Sequence, residues 1–74
     1  MGPSRKPKLL DLVAVLNPPP DVDVRVGDVG TVVELLTPDA VEVEFLDPQG
    51  RTRCLTTLKL TDVLVLNRQR TPVR

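Results

Sequence analysis

Seventy-four residues with ten Lys/Arg and ten Asp/Glu make one small domain of zero net charge. The charges are sorted: residues 1–8 carry Arg5, Lys6 and Lys8, residues 67–74 carry Arg68, Arg70 and Arg74, and residues 9–66 set ten acids against Arg25, Arg51, Arg53 and Lys59, a net of −6. With no His, Tyr or Trp and a single cysteine, Cys54, the chain lacks the commonest general base, most base-stacking platforms, an internal disulfide and a cysteine-based zinc site.

Residues 1–8 read as a flexible basic tail. Lys6 stands where a myristoylation motif needs Ser or Thr, and "LLDLVAVL" is broken by Asp11, so neither a lipid anchor, a signal-peptide core nor a membrane span is expected. A soluble, cytoplasmic protein follows. "DLVAVL", residues 11–16, is an apolar run with β-branched residues and reads as a first strand. Pro18, Pro19 and Pro20 cannot donate to a ladder, so the chain leaves the sheet there. The long loop that follows, 17–28, alternates Val22, Val24 and Val26 with Asp23 and Arg25, which suggests a loop whose valines partly cover the barrel mouth.

"VGTVVELL", 29–36, sets Val29, Thr31, Val33 and Leu35 on one face and Val32, Glu34 and Leu36 on the other. After a short "TPD" hairpin loop, "AVEVEFL", 40–46, turns Val41, Val43 and Phe45 inward and Glu42 and Glu44 outward. "DPQG", 47–50, is a type I turn signal, with Pro48 second and Gly50 fourth, where it can open a bulge. "RTRCLTTL" returns as the next strand. "KLTD" fits a single 3₁₀ turn, "VLVL", 63–66, pairs back on the first strand, and 67–74 is a second flexible basic tail.

Five short strands without a helix bury one face best by curling. The fold class is therefore all-β: a small five-stranded SH3-like barrel over residues 9–66, with a long first loop and a 3₁₀ turn before the last strand. Gly27 and Gly30 are assigned, with Pro48 and Gly50, to structural turns, and Asp28 to accepting backbone N–H groups between the first two.

Nothing in the chain assembles a catalytic set, and no cofactor or metal is expected. Cys54 has no histidine to activate it and reads as a small buried hydrophobe. Glu34, Glu42 and Glu44 read as a solvated outer face, with Arg51 and Arg53 cross-strand from Glu42 and Glu44 in exposed ion pairs. The candidates for partner contact are Val22, Val24, Arg25 and Asp28 in the loop, and Leu36, Glu42, Glu44 and Leu46 on the sheet.

Two resemblances bear on function. "VRVGDVGTVVEL" is similar, through Gly27, Asp28, Gly30, Val32 and Val33, to the KOW motif of ribosomal proteins and transcription elongation factors. That implies RNA or ribosome binding, against which stand the −6 body and the lack of stacking groups. A wider resemblance covers residues 9–66: "LLDLVAVLNPPP", "GDVGTVVELL", "AVEVEFLDPQGRT" and "DVLVL" resemble the small bacterial proteins of the domain of unknown function 4926 family. It implies an SH3-like barrel without established enzymatic activity. The proline triplet and the basic C-terminal tail depart from its pattern. The leading expectation is a non-enzymatic protein-binding module; an antitoxin or immunity-type protein that masks a nucleic-acid enzyme is one instance of it. KOW-like RNA binding is the alternative, and both a monomer and a homodimer are compatible with the short edge strands.

Overall fold

The computed structural model describes residues 6–66. Five strands, β1 (Leu12–Val15), β2 (Val29–Leu36), β3 (Ala40–Leu46), β4 (Thr52–Lys59) and β5 (Val63–Val65), follow one another with a 3₁₀ turn at Leu60–Asp62 before the last. All pairings are antiparallel, in one sheet of order β4-β3-β2-β1-β5. Among the described residues there is no α-helix, hence none long and apolar enough to cross a membrane. The three-stranded meander, the long first loop, the 3₁₀ turn and the return of the last strand to the first thus stand where the sequence puts them.

The strands form because valine stiffens an extended backbone and packs well on a pleated surface. Val13, Val15, Val24, Val32, Val41, Val43, Phe45, Leu58 and Val63 make one buried cluster, with Val22, Cys54, Leu60 and Val65 packed against it. A thin sheet has too little apolar side chain to fill a deep core, so its single large group, Phe45, needs an opposing small one. That group is Gly30, which pairs with Val13 in β1 and by register lies level with Phe45 in β3.

The assignment of Gly30 to a turn is therefore corrected. It is a buried strand residue, and a Cβ there would meet Val43 Cγ1 at 2.5 Å, the Glu44 carbonyl oxygen at 2.8 Å and Phe45 Cε2 at 2.8 Å. Gly27 does make the turn: its φ is +90°, a region that L side chains rarely enter. Its N–H donates to the Val15 carbonyl at 2.8 Å, and the Val15 N–H donates to the Asp28 carbonyl at 2.9 Å. The end of the loop is thus sewn to β1.

The face assignment in β2 also changes. A bulge lies between Val32 and Glu34, and one extra residue reverses the alternation beyond it. Val32 is buried opposite Val43, whereas Glu34 stands outside opposite Glu42 and Leu35 comes round to face Val41. The Asp47–Gly50 turn behaves as its residues dictate. The Gly50 N–H donates to the Asp47 carbonyl at 2.9 Å, Gly50 takes φ +86°, and Asp47 Oδ1 accepts from the N–H groups of Gln49 and Arg51, both at 2.9 Å.

At the N-terminal end the expected flexible tail overlaps the described residues only at 6–8. Pro7 is buried, the Lys8 N–H donates to Asp11 Oδ2 at 2.8 Å, and the Leu10 N–H donates to the Val32 carbonyl at 2.7 Å. Structured chain thus begins ahead of residue 9. The expected tail at 67–74 lies outside the described residues.

Candidate interaction surfaces

The long loop is held by a clasp that the sequence does not announce. A register shift lies between Phe45 and Leu46, so that Phe45 faces Cys54 and Leu46 faces Thr52, leaving Arg53 as the extra residue of a bulge. Released from the outward alternation, the Arg53 guanidinium lies 6.0 Å from the Phe45 ring centroid. It donates to the Asp23 carbonyl and pairs with Asp23 Oδ2 at 3.4 Å and Asp28 Oδ2 at 3.5 Å. Asp28 also accepts from the Arg25 N–H at 2.9 Å, as its place in the turn predicts. Its carboxylate is therefore used within the fold.

This geometry corrects two expectations. Arg51 and Arg53 do not pair with Glu42 and Glu44: Arg51 Nε lies 3.8 Å from Asp47 Oδ2, and Arg53 turns to the loop. The glutamates instead accept from threonine hydroxyls, Glu42 from Thr57 at 2.6 Å and Glu44 from Thr52. Val24 is only 5 % exposed and belongs to the core, which removes it from any contact surface. Alternation within a loop has no sheet to define its faces, and here Val24 turns into the core while Val26, two residues on, stays 68 % exposed. Val22 is half-buried against the same cluster, leaving Arg25 as the exposed member of the four loop candidates.

The sheet candidates fare differently. Leu36 is half-buried beside a shallow cleft of about 120 Å³ whose lining includes Lys6, Pro7, Pro38 and Leu60. Leu46 is 51 % exposed at the end of β3, next to half-buried Glu44. The register shows what single strands conceal. Ala14 faces Leu64 on one side and Val29 on the other. Thr31 faces Glu44, and the same register carried two residues further sets Val29 level with Leu46. Leu64 at 43 % and Val29 at 49 % exposure thus join Leu46 in an apolar row crossing the outer face of four strands.

Beside that row stand Glu44 and then the opposed pair Glu34 and Glu42. Among the described residues, none of these three carboxylates is in a salt bridge, and no group of three or more His, Cys, Asp or Glu is placed to hold a metal ion. Cys54 is half-buried opposite Phe45 and packs against the core cluster, less deeply than the buried hydrophobe expected of it.

A single curled antiparallel sheet, with its core on one face and a mixed apolar and acidic surface on the other, defines a small all-β domain that presents surface rather than an enclosed chamber. The chain belongs to the family described as Domain of unknown function (DUF4926), whose model matches residues 9–65. Those limits take in every strand from β1 to β5. No curated protein and no solved structure matches the chain.

Proposed function

We infer that this chain is a non-enzymatic protein-interaction module of the cytoplasm. The observation that carries the reading is the outer sheet face, where Leu46, Val29 and Leu64 lie exposed beside glutamates that, among the described residues, form no salt bridge. Exposed apolar surface next to unpaired charge is a binding feature rather than a folding one, because neither contributes to the core. The residue inventory supports the same reading, with no histidine, tyrosine or tryptophan to carry proton transfer or base stacking.

An acidic body suits a basic partner through electrostatic steering. A nucleic-acid-cleaving enzyme held inactive by an antitoxin or immunity-type protein is one such partner. The experiment is affinity capture of the tagged full chain from native lysate, with the bound material separated into protein and RNA. A stoichiometric protein partner supports the reading. Recovery of RNA without protein overturns it in favour of the KOW-like alternative.

A further inference from the structure

We propose that the outer face of the sheet, along the row Leu64, Ala14, Val29 and Leu46, docks a basic amphipathic α-helix of a partner protein. The proposal rests on the interaction reading above and names the element that meets the face. The row crosses four strands, about 14 Å at the usual interstrand spacing. The next row of side chains, about 7 Å along the strands, runs Leu12, Thr31, Glu44 and Leu55. The apolar footprint is long, and Glu44 and, one row further, the opposed pair Glu34 and Glu42 lie on its flank. Two to three turns of helix, about 15 Å long for ten residues, carry an apolar stripe of that size.

The alternatives fit less well. A partner strand added to an edge would leave the row uncovered, because these side chains stand on the face. The edges are also blunted: β5 has three residues, and β4 is interrupted at Arg53 and ends in Lys59. A second copy would bring Glu34, Glu42 and Glu44 against an equally acidic body, at a repulsive cost. A helix with lysine or arginine along one flank places its cations over those glutamates while its apolar stripe covers the row. A helix that is itself apolar along one stripe and basic along its flank matches this mixed face as a second layer.

The test is an NMR titration of the isotopically labelled full chain with a synthetic helical peptide of roughly four turns, leucines on one face and lysines on the flanks. A scrambled peptide of the same composition and a peptide with glutamate replacing lysine are titrated alongside. The lysine peptide should shift Ala14, Val29, Leu46 and Leu64, while the other two bind at least about tenfold more weakly at low salt. The double variant E42Q/E44Q, which keeps the side-chain shape, should lose several-fold in affinity, and Leu46→Ser should lose about as much.

Equal binding of all three peptides, shifts centred on loop 17–28 or on the Pro7 cleft, or no shift at the row would overturn the proposal. Concentration-dependent shifts at the row without peptide would also overturn it, assigning the face to a second copy. Failure of the helix is separable from failure of the interaction reading. If the peptide does not bind but a captured cellular protein still cross-links to the chain, only the helix is lost.

Discussion

Gly30→Ala is the sharpest test of how this sheet is packed. The added methyl would sit 2.5 Å from Val43 Cγ1, 2.8 Å from Phe45 Cε2 and 2.8 Å from the Glu44 carbonyl oxygen. The first two can shift only by disturbing fully buried side chains, and the third is backbone of the interior strand β3. Overpacking of a core costs about 1–3 kcal/mol, and an immovable carbonyl places this change at about 3 kcal/mol. A domain of this size holds about 4–11 kcal/mol in total, and a loss of 3 kcal/mol corresponds to a fall in Tm of about 12–24 °C. Gly27→Ala is the matched control. It meets nothing within 4 Å at φ +90°, so only backbone strain of about 1–2 kcal/mol is incurred. Urea unfolding followed by far-UV circular dichroism, compared at constant m-value, measures both. If Gly30→Ala costs no more than Gly27→Ala, the account of Gly30 as the seat of the Phe45 ring is wrong.

Further outcomes follow from the same contacts. Phe45→Ala empties the largest buried side chain and should cost about 3–5 kcal/mol, read as a lowered urea midpoint in the same denaturation assay. Arg53→Ala removes the clasp on Asp23 and Asp28 for about 1–2 kcal/mol, and hydrogen exchange should quicken in residues 21–28 while β2 and β3 stay protected. Asp47→Ala strips an acceptor from two backbone N–H groups and should cost about 1–2 kcal/mol. Arg51→Ala, which loses only an exposed pair at 3.8 Å, should cost under about 0.5 kcal/mol in the same denaturation assay. Leu10 is 72 % exposed at φ 73°, so Leu10→Gly relieves left-handed strain with little packing lost and should raise stability by up to about 1 kcal/mol.

What the chain alone determines is set by local chemistry. Period-two alternation in "AVEVEFL" puts Val41, Val43 and Phe45 inside whatever lies on either side. "DPQG" specifies its own hydrogen-bonded turn, and the positive φ at Gly27 is a property of glycine in a short turn. Strand order follows from the short connections between β2, β3 and β4, since such links leave little but antiparallel neighbours. The family membership is legible in the same spacing.

What only the tertiary structure decides depends on register and on bulges, because one inserted residue reverses every side chain beyond it. The bulge after Val32 sends Glu34 outward, and the one at Arg53 frees an arginine that cross-strand reasoning would have given to Glu42 and Glu44. Val24 is buried in the core while Val26 stays exposed, a difference between two alternating valines that only the path of the loop across the sheet decides. The apolar row from Leu64 to Leu46 draws its members from four separate strands. It exists only once those strands are laid side by side, so the surface on which the proposed function rests is a product of pairing rather than of any one segment.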